Sequence, residues 1–169
     1  MFVLGVDPGL SRCGFGVVAE EEGAQRAVVA GVITTDPARP VPERLAELRS
    51  ELDALVVETA PEVVVVERVF FQTNVKTAMS VGQASGVALL VAAERNCPVV
   101  EYTSNEVKQA VAGYGSAEKS QVQTMVARLL GLSSPPQPPD VADALALAIC
   151  HLAARRASAL DVASGIDLT

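Results

Sequence analysis

Two acidic residues stand at the ends of short apolar segments, a placement that is typical of a chemical site. Asp7 follows the strand-forming run 2–6 and precedes Pro8-Gly9, and Glu67 directly follows four consecutive valines at 63–66. Such apolar runs predict strands buried on both faces, and ligands in open α/β sheets collect at the carboxyl ends of these strands. Alone, Asp7 has an ordinary interpretation as a turn-opening residue, and Glu67 as half of an ion pair. Two strands that both end in acids favour a shared site.

A second pair of acids lies in an apolar segment near the C-terminus. Residues 140–154 (DVADALALAICHLAA) are helical by composition and apolar around nearly the whole circumference, so we expect this helix to be buried against the sheet. Asp140 could be its N-terminal cap, whereas Asp143 has apolar neighbours and little exposed surface available. Residues three apart share a helix face, which predicts that both carboxylates project together. A buried, unpaired carboxylate is costly unless it binds a metal or its pKa rises.

These four carboxylates, with no nearby set of Cys or His ligands, predict a site for hard divalent cations. Oxygen ligands select Mg²⁺, with Mn²⁺ as a substitute. Ions a few ångströms apart would bind the nonbridging phosphate oxygens, generate hydroxide from water and stabilise the departing 3′ oxygen. The predicted chemistry is therefore in-line hydrolysis of a phosphodiester, with about two ions per site.

Basic and aromatic residues elsewhere could hold a nucleic acid. Lys119 lies in the first turn of a predicted helix, where a cation opposes the helix dipole; a phosphate at that helix start would use it, although a tolerated surface lysine is the simpler interpretation. Phe70 and Phe71 follow the valine strand, either packed in a core or dimer contact or stacked on an unpaired base. The candidates for contacts with the phosphate backbone are Arg12, Arg68, Lys76, Lys108 and Lys119.

The elements that must position these residues predict a single α/β domain. Strand-like runs at 13–19 and 26–35 continue the first strand as an antiparallel meander, and residues 63–66 and 98–102 supply two further strands. Leucines at helical spacing predict an amphipathic helix over 42–59 whose charged face is solvated. Further helices are expected over 74–95, from 103 or 104 to 112, over 117–130 with Ser116 as its cap, and from 140 onward. The helix at 74–95 is apolar enough to form a symmetric dimer contact as well as to pack on the sheet.

Length and composition set limits on these interpretations. The 169 residues suit one domain, predicted over 1–155, followed by a frayed tail at 156–169. Three widely spaced cysteines indicate a reducing cytosol, and no leader or membrane span is predicted. A net charge of −7 argues against a broad basic surface for nucleic acid. That objection weakens only if cations neutralise several acids and the basic residues gather on one face.

Four sequence blocks resemble those of the RuvC Holliday-junction resolvases. They are GVDPGL at 5–10, VVVVERVFF at 63–71, EVKQAVAGYGSAEKSQVQ at 106–123 and DVADALALAICH at 140–151. GVDPG alone is weakly specific, but the four blocks occur in order across nearly the whole chain. The resemblance implies an RNase H-like fold with a mixed five-stranded sheet flanked by helices, and a homodimer that nicks two strands of a four-way DNA junction to leave 5′-phosphate ends.

The resemblance also assigns roles by position. Asp7, Glu67, Asp140 and Asp143 would be the metal-binding and catalytic acids. Phe70 would stack on bases at the junction, and Lys108 and Lys119 would lie near the scissile phosphate, Lys119 as part of the catalytic set. The family further implies a short thymine-containing cleavage sequence and cooperation with the RuvA–RuvB branch-migration complex.

Other functions fit parts of the pattern less well. An ATP-binding module of the actin and sugar-kinase class also begins with a strand, an Asp and a glycine turn, but it needs a second domain for which 169 residues leave no room. An RNase H-like nuclease of the YqgF type that acts on RNA would share the fold and the acids. A junction-binding module without chemistry would not need Asp7.

Overall fold

A five-stranded mixed sheet forms the centre of the fold. The computed structural model describes residues 1–68 and 75–164, with side chains up to residue 160. Within them the strand order is β3-β2-β1-β4-β5, with β1–β2 and β2–β3 antiparallel and β1–β4 and β4–β5 parallel. This confirms the predicted meander joined to parallel strands. The strands are β1 (Phe2–Asp7), β2 (Arg12–Glu21), β3 (Ala24–Thr34), β4 (Val63–Glu67) and β5 (Val99–Tyr102).

Helices cover both faces of the sheet and divide the core into two layers. On one face the core contains residues of α1 and α2 packed with Leu4, Val6, Val64 and Val66 of the sheet. On the other face α3, α4 and α5 pack with Val3, Val63 and Val65. The described helices are α1 (Val41–Thr59), α2 (Val75–Glu94), α3 (Ser104–Ala112), α4 (Lys119–Leu129) and α5 (Pro139–Ser164).

The alternation of side chains along β1 and β4 decides which face the two strand-end acids occupy. Successive residues of a strand point to opposite faces. In both strands the even-numbered apolar residues, such as Val64 and Val66, pack beside α1 and α2. The odd-numbered apolar residues pack beside α5 on the other face. Asp7 and Glu67 are odd-numbered, so both point towards α5. The parallel register runs from Val3–Val63 to Val6–Val66, which makes these acids the next residues on neighbouring strands.

Glycines allow α5 to lie unusually close to the sheet. A Cβ at Gly5 would lie 2.0 Å from the carbonyl oxygen of Ala144, and a Cβ at Gly14 would lie 2.3 Å from that of Asp140. Gly14 is the cross-strand partner of Asp7. Because only hydrogen occupies these positions, the start of α5 approaches the last residue of β1.

The C-terminal half of α5 is attached to the β2–β3 hairpin. The guanidinium of Arg156 donates to the carbonyl oxygen of Gly23 at 2.6 Å and pairs with the carboxylate of Glu20 at 2.9 Å. The helix continues past residue 155 and ends at Ser164. The division of the chain into a domain at 1–155 and a tail at 156–169 stays a prediction, and residues 165–169 lie outside the described part.

Two local predictions were wrong. Ser116 does not cap α4, because that helix begins at Lys119 with Glu118 as N-cap, whose backbone N–H donates to the side chain of Gln121 at 2.8 Å. The charged face of α1 is not wholly solvated either: Arg44 is buried, one helical turn before Leu48 on the inward side.

The helix α2 has the most exposed apolar surface of the described helices. By length and composition alone it could cross a membrane, although no membrane span was predicted from the sequence, and 28% of its most apolar window is buried. It buries Ala84, Ala88 and Ala92 in the core beneath it. Its outer side exposes Val75, Met79 and Leu90, which are 70%, 62% and 50% accessible.

Candidate active site

Three of the predicted acids line one cavity at the carboxyl ends of β1 and β4. Asp7, Glu67 and Asp143 share this cavity of about 340 Å³ with Lys108 and Lys119. The chain thus brings together residues from five separate elements, and the meeting of Asp7, Glu67 and Asp143 agrees with the sequence prediction for these acids. The remaining lining residues are Ser104, Val107, Val122, Ala146 and Leu147.

The two strand-end acids repel further negative charge. Burial first, and then the charges of Glu67, Asp143 and Asp140, raise the pKa of Asp7 to about 7, although Lys119 acts in the opposite direction. Burial and the charge of Asp143 also raise the pKa of Glu67, partly offset by nearby lysines and by a hydrogen bond with Asp7. Carboxylates in this condition are stabilised by a cation placed between them.

Lys119 reaches from the first residue of α4 to the acid on α5. Its Nζ donates to Oδ2 of Asp143 at 2.5 Å, and 61% of the lysine side chain is exposed. Burial would lower the pKa of Lys119, but the hydrogen bond to Asp143 and the charges of Asp143, Asp7 and Asp140 together raise it. The unfavourable position at the start of a helix is thus offset by tertiary contacts with carboxylates, and the lysine stays charged.

Asp140 lies beside the cavity, in contact with Arg12. Nε and Nη2 of Arg12 donate to Oδ2 of Asp140 at 3.2 and 2.9 Å. Burial would raise the pKa of Asp140, but the hydrogen bond from Arg12 and the charges of Arg12 and Lys119 lower it overall. The helix α5 begins one residue earlier, at Pro139. Asp140 is therefore an ion-paired residue inside the helix and not its N-terminal cap. Contact of Arg12 with DNA stays a prediction.

The other candidate residues lie at different distances from the acids. Lys108 is half-buried in the cavity wall. Arg68 directly follows Glu67, with its backbone N–H bonded to the carbonyl oxygen of Tyr102 at 2.8 Å. Lys76 is exposed near the start of α2 and does not line the cavity. Phe70 lies outside the described residues.

The oxygen donors of this set fit a hard divalent cation once Asp143 and Asp140 are released from their basic partners. Among the side chains that the structure describes, no three His, Cys, Asp or Glu residues already lie close enough to hold an ion. The reason is visible in the contacts, because Asp143 accepts from Lys119 and Asp140 accepts from Arg12. Oxygen-only ligands, two of them with raised pKa values, suit Mg²⁺ rather than Zn²⁺.

The sequence pattern gave partial signals for the residues that position the acids. Gly14 and Gly16 interrupt a strand, and a glycine in a strand often marks a close approach by another backbone. This pattern could have indicated the close approach of α5 to β2. No comparable signal marks the partnership of Arg12 with Asp140, because it joins residues 128 positions apart in the chain.

Comparisons with known proteins agree with this geometry. The family profile for crossover junction endodeoxyribonuclease RuvC matches residues 3–151. Proteins with that name from Salinispora arenicola and Alkaliphilus oremlandii are 55% and 50% identical; the alignments cover 90% and 89% of this chain and 87% and 92% of theirs. A solved structure of Thermus thermophilus RuvC in complex with Holliday junction substrate is 38% identical, with a TM-score of 0.89, covering 94% of this chain and 96% of that one.

Proposed function

The chain belongs to the RuvC family of crossover junction endodeoxyribonucleases, and we propose on this premise that its acid cavity hydrolyses phosphodiester bonds at four-way DNA junctions. The protein is a nuclease of homologous recombination and DNA repair that acts on Holliday junctions. The observation that carries the proposal is the meeting of Asp7, Glu67 and Asp143 in one cavity that also contains two lysines.

The four acids are proposed to hold the metal, which is Mg²⁺ with Mn²⁺ as a substitute, at about two ions per site. Mg²⁺ bound there would supply a polarised phosphate and a water of lowered pKa. Asp7 and Glu67 are the ligands fixed by the sheet. Asp143 would turn from Lys119 towards the ion, which leaves the ammonium group of Lys119 beside the cavity to pair with a phosphate oxygen. Asp140 would join after loosening its contact with Arg12.

Basic residues at the cavity are proposed to hold the DNA backbone. Lys108 and Lys119 line the cavity, and Arg12 lies 2.9 Å from Asp140 at its edge. These positions suit contacts with the phosphates that flank the cleaved bond. The candidate roles of Lys76 in backbone contact and of Phe70 in stacking on junction bases rest on the family resemblance.

We also propose a homodimer, with α2 as its contact. The exposed apolar residues of α2 share the outer side with Gly82 and Gly86, at which an added Cβ would meet nothing within 4 Å. Such a face permits the close approach of a second helix. Two symmetric sites would give paired nicks. Cooperation with RuvA–RuvB and a cytoplasmic location are proposals from the family and from three free cysteines.

The decisive experiment compares Asp7→Asn with the wild type on a four-way junction, a linear duplex and RNA. We expect Asp7→Asn to bind the junction as tightly as the wild type but to cut it at least ~100-fold more slowly in Mg²⁺, because the ligand between the two strands is lost. Glu51→Gln, an exposed acid on α1, is the matched control and should cut normally.

Unchanged cutting by Asp7→Asn would refute the role given to this acid. Cutting of RNA or linear duplex in preference to the junction would instead favour a nuclease of the YqgF type. Both outcomes are read from the same gel assay with end-labelled strands.

A further inference from the structure

Arg44 is a buried cation outside the acid cavity, near the start of α1. Only 8% of it is exposed. Its Nε donates to Oγ1 of Thr35 at 2.9 Å and its Nη2 to Oγ of Ser11 at 2.7 Å. Within the described part of the chain no carboxylate forms a salt bridge with it, whereas buried charges are usually paired. An apolar residue would fill this place at a lower electrostatic cost, so packing alone does not explain an arginine here.

The two hydroxyl groups that hold Arg44 are connected to the turn that follows Asp7. Thr35 donates its own hydroxyl to the carbonyl oxygen of Leu10 at 2.5 Å. Its backbone N–H also donates to the carbonyl oxygen of Ser11, at 3.3 Å. The turn is therefore attached to the end of β3 by two bonds and to α1 by the guanidinium group. Arginine suits this task because its planar fork fixes two acceptors at once, which a lysine ammonium does not.

This turn joins two groups of the proposed active site. Asp7 is the last residue of β1, and Arg12, which bonds Asp140, is the first residue of β2. The turn is tight, since a Cβ at Gly9 would lie 2.1 Å from the carbonyl oxygen of Arg12. A shift of residues 8–11 would thus move Asp7 and the partner of Asp140 together.

We propose that Arg44, acting through Thr35 and Ser11, is a positioning residue that sets the placement of Asp7 and Arg12 for cleavage. The proposal rests on the nuclease function given above. Arg44 does not touch the substrate or the metal ligands. It fixes the backbone that joins Asp7 to Arg12, so its loss changes the rate of the chemical step more than the affinity for DNA.

The test uses a matched pair at Thr35. Thr35→Val keeps the shape of the side chain but removes the hydroxyl that accepts from Arg44 and donates to Leu10, while Thr35→Ser keeps that hydroxyl. The measurement is single-turnover cutting of a four-way junction with excess protein in Mg²⁺, with junction affinity in EDTA and the melting temperature recorded in parallel. At saturating protein the rate constant reports the placement of groups in the folded protein, and the melting temperature shows whether the variant is folded.

We expect Thr35→Val to lower the rate constant about 10-fold, because misplacements of about 1 Å can reduce rates by up to ~100-fold. Junction affinity should change by less than about 2-fold, since Arg12 is the one candidate backbone contact that the turn displaces and the other candidates stay in place. Thr35→Ser should cut like the wild type. Arg44→Lys should resemble Thr35→Val, because it keeps the charge but cannot reach both hydroxyls.

A normal rate constant in folded Thr35→Val overturns the proposal, and so does an effect confined to the melting temperature or to the affinity. If Thr35→Val does not fold, Ser11→Ala decides, since Ser11 is exposed and loses only one bond to Arg44; a rate constant equal to that of the wild type then overturns it. Failure of the nuclease assignment is distinguished separately, because the wild type itself would not cut the junction.

Discussion

At the scale of single residues, the carboxylates of the cavity repel one another, and this repulsion is relieved by a proton on Asp7 or by a bound cation. Asp7 has a pKa of about 7 because of burial first and of Glu67, Asp143 and Asp140 next. Its carboxyl group therefore binds a proton more tightly in the folded protein than in the unfolded chain, where the pKa is 3.8. The stability contribution of this group is greatest in acid and is lost as the pH rises from about 4 to 7.

This linkage predicts that Asp7→Asn stabilises the protein in EDTA at pH 8. A difference of about three pKa units corresponds to roughly 4 kcal/mol at most, so we expect a melting temperature higher by about 5 °C. The gain should shrink towards zero as the pH is lowered to 4, where the folded wild-type carboxyl is neutral. Thermal denaturation over this pH range, with Glu51→Gln as control, provides the measurement.

Added Mg²⁺ separates repulsion from packing in the same experiment. It should raise the melting temperature of the wild type at pH 8, because the ion binds the folded state alone. It should have little effect on Asp7→Asn. An Asn variant that melts below the wild type at pH 8 in EDTA would contradict this account of the cavity.

The acids could be predicted from the sequence because their surroundings made them costly. Asp143 sits in an apolar helix and Glu67 ends a valine strand, and both features are local. The partners of these acids are not local. Lys119 meets Asp143, 24 residues later, and Arg12 meets Asp140, 128 residues later, and no short pattern indicates such pairs.

At the scale of elements, the position of α5 is set by the absence of side chains on the sheet beneath it. Gly14 faces the backbone of Asp140, and Gly5 faces that of Ala144. The strands, the meander and the helices were predicted from periodicity, as the structure confirms. Periodicity gave no distance between helix and sheet, and that distance decides whether Asp143 reaches the cavity of Asp7.

Gly14→Ala should therefore push α5 away from β1. The new methyl group would collide with a backbone carbonyl, which cannot rotate away, at a stability cost of about 1–3 kcal/mol. We expect cutting to fall about 10- to 100-fold. Gly31→Ala is the matched control in β3, since its methyl group would meet only the ring tip of Phe15. Melting curves and cutting rates of both variants test this; equal behaviour would show that the close approach is unimportant.

At the scale of the whole molecule, the net charge of −7 is compatible with DNA binding because the charges are unevenly arranged. Away from the cavity, arginines are engaged by carboxylates: Arg49 with Glu94, Arg95 with Asp53, and Arg39 with Glu43 and Glu47. Lys108 and Lys119 instead face the cavity. Once bound cations neutralise the acids of the cavity, these lysines make this side attractive to phosphates despite the negative charge of the whole chain.

The proposed dimer is tested by a charge on the outer side of α2. Met79→Glu should convert the protein to a monomer at micromolar concentration, because an apolar contact cannot accommodate two unpaired carboxylates. Val57→Glu alters a residue on α1 that is 57% exposed and serves as the matched control. Sedimentation or light scattering gives the mass, and the junction assay shows whether cuts remain paired. A Met79→Glu protein that stays dimeric would place the contact elsewhere.

The two attachments of α5 to the sheet have a consequence for how a branched substrate is bound. Near its start the helix rests on glycines, and near residue 156 it is tied to the β2–β3 hairpin. A helix attached at two places does not pivot, so the backbone of Asp140 and Asp143 keeps a constant spacing from the sheet. The bending required for a junction arm to meet the acids must then come from the nucleic acid, and stiff arms should be poorer substrates than pliable ones.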